Sequence, residues 1–149
     1  MKKMLFFLAL ATVIGCSKEA ESDSGYFIFG YAHGFCVGNC VTVFKLEDDS
    51  LVADDDAAYA SLTSPSIPFQ STNLPSDKVA LAKGLQAQIP AALYNEPDGS
   101  VGCPDCRDQG LFYLKIKTGD TVREWRIDRD KPEYAAFCDS IWDTVQQLK

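Results

Sequence analysis

The sequence predicts an α+β fold, a mainly antiparallel sheet with two helices packed on one face. Three observations predict it. β-Prone runs fall into two groups, one before residue 54 and one after residue 110. Each group is followed by a segment with apolar residues at helical spacing. Neighbouring runs within a group are joined by short turns, which suits antiparallel pairing because parallel strands need long crossovers.

Taken in order, Tyr26-Phe27-Ile28-Phe29-Gly30-Tyr31 is aromatic and β-prone and predicts the first strand. Gly34 and Gly38 bracket a tight loop that holds Cys36 and Cys40. Residues 41–46 form a second strand, Glu47-Asp48-Asp49-Ser50 a turn, and Leu51-Val52-Ala53 a short third strand. Residues 54–75, with Pro65, Pro68 and Pro75, are loop with one turn of helix near 57–62. Ser76 is placed to cap a helix and Asp77 to complement its dipole. Val79, Leu81, Ala82, Leu85 and Ile89 recur at helical spacing until Pro90 ends the run. A loop over 95–99 leads into Cys103-Pro104-Asp105-Cys106. Residues 111–116 and 122–127 flank the turn signal Thr118-Gly119-Asp120 as a hairpin. Pro132 and Glu133 open a final helix, whose stripe of Tyr134, Phe137, Cys138, Ile141, Trp142, Val145 and Leu148 docks on the sheet.

At 149 residues the chain has room for one ordinary domain, taken as 26–149. Residues 1–15 hold two lysines and no acid, so the chain from Cys16 carries 12 basic and 21 acidic side chains, a net charge of −9. That sign excludes nucleic acid as a natural partner, because phosphate binding needs clustered Lys and Arg. It also opposes attraction to anionic lipid headgroups.

The N-terminus has the marks of an export signal. Met1-Lys2-Lys3-Met4 is short and positive, and residues 5–14 are uncharged and mostly apolar. About ten such residues suit a signal core, whereas a bilayer span takes about twenty. Val13-Ile14-Gly15-Cys16 follows directly. These four residues resemble the lipobox of bacterial lipoproteins. The resemblance implies that residues 1–15 are a signal peptide, and that Cys16 becomes the first residue and carries diacylglyceryl and acyl chains. Several chains give stable anchoring where one does not. Ser17 in place of Asp implies passage to the outer membrane, with the periplasmic or surface face undetermined. Residues 17–25 lack apolar periodicity and complete a flexible tether over 16–25.

Five cysteines remain after Cys16: Cys36, Cys40, Cys103, Cys106 and Cys138. Export implies an oxidising compartment, where disulfides are the default. Cys138 lies in the apolar stripe of the last helix and is expected to be a buried free thiol. The other four are expected to form two bridges, with each close pair joined locally or the two loops cross-linked, and proximity favours the local pairing. Two chemical alternatives compete. Cys36, Cys40, Cys103 and Cys106 could supply four thiolates to tetrahedral zinc, the second pair resembling a zinc knuckle. Cys103-Pro104-Asp105-Cys106 also resembles a thioredoxin-type redox centre, but a strand follows where that centre has an activating helix. Cys36-Val37-Gly38-Asn39-Cys40 resembles the Cys-x-Gly-x-Cys loop of an uncharacterised group of small envelope proteins. Val41 and Val43 stand at that group's Pro and Tyr, and no activity is implied.

No other residue set specifies a reaction. His33, the one histidine, is three residues from Cys36 and reads as a polar residue at a strand end. Glu47-Asp48-Asp49 and Asp54-Asp55-Asp56 lack calcium-loop spacing and read as solvated loop. Trp125 and Trp142 are expected in the core. No cofactor is expected. The expectation is a non-catalytic, disulfide-stabilised binding or interaction domain, held on the membrane by its lipid anchor and partnered by an unknown envelope protein or ligand. A thiol–disulfide or zinc-binding role for Cys103 and Cys106 is the alternative.

Overall fold

The computed structural model describes residues 25–64 and 66–149. The signal segment, Cys16 and the tether up to residue 24 lie outside the described residues. Tyr26–Ala32 forms β1, one of the two central strands of a six-stranded sheet and the one on which the rest is built. Its alternation is apolar on both sides: Phe27 and Phe29 face one layer, Ile28 and Ala32 the other. A strand with two apolar faces must be covered twice.

Val41–Glu47 (β2) and Leu111–Thr118 (β5) flank β1, both antiparallel to it. Ser50–Ala53 (β3) pairs with β2, and Thr121–Ile127 (β6) forms the hairpin with β5. Gly99–Val101 (β4) closes the far edge, parallel to β6, and gives the order β3-β2-β1-β5-β6-β4. β4 is the one strand that the sequence reading leaves as loop. Three residues beside a glycine carry no alternation to detect, although the burial of Val101 fixes them to the core. Gly30 lets β1 approach β2 closely, since a Cβ there would collide with the Thr42 carbonyl.

Ser76–Gln86 (α1) and Ala135–Leu148 (α2) cover one face, as expected of the α+β arrangement. Val79, Ala82 and Leu85 of α1, with Phe137, Cys138, Ile141, Val145 and Leu148 of α2, pack on Phe27, Phe29, Phe44, Leu114 and Trp125. Two details differ from the sequence reading. Ser76 is the first helical residue rather than the cap: Pro75 stands at the cap, with no side-chain hydrogen bond. Its carbonyl accepts the Lys78 and Val79 amides. Trp142 is not core: it is 37% exposed, whereas Trp125 is fully buried. One residue along a helix is a rotation of about 100°, so beside the buried Ile141 the indole falls on the flank of the stripe. There it lies over Tyr31, with ring centroids 4.7 Å apart.

The second face has no helix of its own. Residues 54–70 fold back over it, with a single 3-10 turn at Tyr59–Thr63. Ala57 and Leu62 complete a smaller core with Ile28, Val41, Val43, Leu111 and Tyr113. Among the described residues, no helix is long and apolar enough to cross a membrane.

Candidate functional site

The register of the sheet gathers the cysteine loops at one end. Ala32 pairs with both Val41 and Leu111, so the 33–40 connection and the 102–110 segment that feeds β5 lie side by side. Tyr26 pairs with Glu47 and Lys117 at the opposite end, next to Gly25 where the described residues begin.

Each close cysteine pair is bridged. Cys36 joins Cys40 and Cys103 joins Cys106, with Cα–Cα distances of 5.7 and 5.6 Å. Rings this small remove little freedom from the unfolded chain, on the order of 2 kcal/mol each. Their use is local shape. Cys138 is a free thiol, wholly buried, and burial pushes its pKa up to about 12, far from a reactive thiolate. Among the described residues, no three His, Cys, Asp or Glu side chains are grouped to hold a metal. No helix follows Cys106, since residues 107–110 lead straight into β5.

Asp105 joins the two loops, and sequence reasoning missed it. It sits inside the Cys103–Cys106 ring in the left-handed region, φ 60°, where Asp is one of the tolerated residues. Its Oδ2 accepts the Gly34 amide at 2.7 Å and its Oδ1 the Gly110 amide at 2.8 Å. The Tyr59 ring lies beside the same carboxylate, both of them close to Gly34. Burial, reinforced by that carboxylate, pushes the Tyr59 phenol up. Gly34 is required by this closeness, because a Cβ there would come within 2.5 Å of Oδ2. A single side chain therefore ties the second cysteine ring to the start of the first loop, beside the 54–70 cover. The residue type gave a turn signal and nothing in the pattern named its distant partners.

Two further aspartates brace the same end. Asp54 is buried, accepting the Val43 amide at 2.9 Å and the Ala57 amide at 3.2 Å. Burial raises its pKa, against the lowering effect of those amides. The acidic run read as solvated loop is thus divided: Asp54 is a buried brace, while Asp55 and Asp56 are exposed. Asp128 accepts the Cys103 and Asp130 amides at 3.0 and 2.9 Å. Burial works against its ionisation, but these amides and Gln109 outweigh it and hold the carboxyl below its ordinary range.

His33 does not form a dyad with Cys36, whose sulfur is bridged to Cys40. The imidazole packs edge-on against Tyr31, and the His33 amide donates to the Cys40 carbonyl at 2.9 Å. Of the Glu47-Asp48-Asp49 cluster, Glu47 pairs with Lys45 and Asp49 with Lys83, at the far end of the sheet from the cysteines.

Between the Cys36–Cys40 ring and residues 56–59 lies an open cleft of about 470 Å³. Phe35 and Val37, on either side of Cys36, point into solvent. The arrangement holds a disulfide-closed rim, an open cleft and exposed apolar side chains. No family model matches the chain, and no curated protein matches it.

Proposed function

We propose that the chain is an exported lipoprotein, cut before Cys16, acylated there and held on the outer membrane. Its folded part is a non-catalytic binding or interaction domain of the cell envelope. The polarity of the domain carries this reading. The chain enters the sheet at Tyr26, whereas the disulfide-braced loops, the cleft and the bare Phe35 and Val37 share the opposite end. The ten residues 16–25 reach at most about 35 Å when extended, and attachment on the Tyr26 side leaves the braced end free to face away from the anchoring bilayer. Two disulfides beside a buried free thiol suit an oxidising compartment.

Radiolabelled palmitate tests the anchor. The parent chain should incorporate it and fractionate with membranes, and Cys16→Ala should do neither. Undiminished labelling of that variant would remove the lipidation at Cys16. Alkylation of the denatured mature protein tests the non-catalytic part, and one blocked thiol per chain is expected. Stoichiometric zinc, or reduction of insulin that disappears in Cys103→Ser, would instead promote metal or redox chemistry at Cys103 and Cys106.

A further inference from the structure

Phe35 and Val37 are 86% and 105% exposed, while every other exposed large apolar side chain among the described residues lies between 36% and 46%. The loop that carries them is pinned at its two ends and cross-linked within. The Gly34 amide is bound to Asp105, the His33 amide to the Cys40 carbonyl, and the Val41 amide to Asn39 Oδ1. The Cys36–Cys40 bridge closes the ring between them. A loop constrained in this way loses less freedom than an unconstrained one when something covers it.

The cleft under the ring supplies the second element. It is walled by the backbone of Gly34 and Gly38 and by residues 56–59. Through Asn39 and Asp56 it continues into a groove of about 520 Å³ that Asp55 also lines. Charge supplies the third. Glu47, Asp49, Glu96, Asp98, Glu124 and Asp139 each have a basic partner. Asp55 and Asp56, like Asp48, Asp77, Asp108, Asp120, Asp130, Glu133 and Asp143, form no ion pair with any described residue, and of these acids they are the two that line the cleft and groove. The one lysine lining the groove, Lys149, is bound to the Tyr31 hydroxyl at 2.6 Å.

We infer that this edge docks a polypeptide segment of another envelope protein, one that sets a Lys or Arg beside an apolar side chain. The inference rests on reading the folded part as a binding domain. The apolar side chain is covered by Phe35 and Val37, and the cation is received by Asp55 and Asp56. A lipid surface fits less well, because the chain from Cys16 has a net charge of −9 and the edge lies at the end of the sheet remote from Tyr26. Exposed carboxylates fix the register and speed encounter more than they add affinity, so Phe35 and Val37 carry most of the binding.

The test pans a display library of random peptides, each about a dozen residues long, on the purified lipidated full chain. Enriched peptides should carry Lys or Arg next to an aliphatic or aromatic residue. The double variant Phe35→Ser, Val37→Ser should bind them at least about tenfold more weakly, which is about 1.4 kcal/mol. Asp55→Asn with Asp56→Asn should cost about threefold, and high salt should erase that loss. Both variants alter exposed positions, and an unchanged thermal midpoint verifies their folding. Enriched peptides that bind the Phe35, Val37 variant as tightly as the parent would place binding elsewhere, overturning this surface and leaving a binding domain. Enrichment of acidic peptides, or of none, would overturn the inference outright. So would tight binding to vesicles of phosphatidylethanolamine and phosphatidylglycerol that the same variant loses, because the occupant would then be a membrane. A chain found to lack acyl groups would remove the anchor reading and leave the peptide result standing.

Discussion

The two faces of the sheet are closed by different means. On one, two helices bring long apolar side chains onto Phe27, Phe29, Leu114 and Trp125, and the contact is almost wholly apolar. On the other, an irregular segment covers a smaller core, and carboxylates add to the packing that holds it in place: Asp54 accepts the Val43 and Ala57 amides, and Asp105 accepts the Gly34 amide. The difference teaches where each kind of sequence freedom lies. A helix satisfies its own backbone and needs only a stripe to dock. An irregular cover leaves backbone amides unpaired, and buried side-chain acceptors must take them. The second face and the end beside it are therefore the easier parts of the molecule to reshape, and the candidate site is there.

The largest expected effect sharpens the contrast from the helix side. Trp125→Ala empties the centre of the main core and should cost about 3–5 kcal/mol in urea unfolding. An unchanged midpoint would mean that the helix-covered face is not the stabilising one. Asp105→Ala tests the other side. It unpairs the Gly34 and Gly110 amides, and should cost about 1–3 kcal/mol, partly relieved by water because Gly34 is exposed. Amide exchange in that variant should rise at residues 33–40 as well as 103–110. A response confined to its own ring would break the claim that Asp105 couples the loops.

Trp142→Ala should cost only about 1–2 kcal/mol, since the indole is partly exposed and its chief contact is Tyr31. A loss as large as that for Trp125 would show the flank of α2 to be core after all.

Acid titration separates Asp54 from Asp128, with opposite signs. Asp54 has a folded pKa above its unfolded value of about 3.9, because burial disfavours the ionised form. Its contribution to stability is complete below that unfolded value and is lost as pH rises through the folded one. Asp128 has a folded pKa below its unfolded value. Its contribution is present above about pH 4 and is lost as pH falls through the folded value. Relative to the parent, Asp128→Asn should be destabilised at neutral pH and converge with it in acid. Asp54→Asn should fall furthest behind at low pH. Parallel curves for the two variants would remove the distinction. The smallest effect is expected at the rim, where Phe35→Ser should leave stability within about 0.5 kcal/mol, as for an exposed loop position.

Periodicity and turn chemistry in the sequence by themselves determined the fold class, five of the six strands and both helices, because they act over a few neighbouring residues. The lipobox resemblance, on which the proposed lipidation rests, is equally local, since it involves four adjacent residues. What only the tertiary structure decided depends on distant partners. β4 exists because β6 offers it an edge. Trp142 and Trp125 look alike in sequence, and the docking angle of α2 exposes one while the sheet buries the other. Asp54 was one acid in a run of three until residues 54–70 folded over it. Asp105 lies 71 positions from Gly34, and no local pattern encodes a hydrogen bond across that distance. The candidate site is built from such contacts: two loops far apart in the chain become one surface only after the register of β1, β2 and β5 sets their ends together.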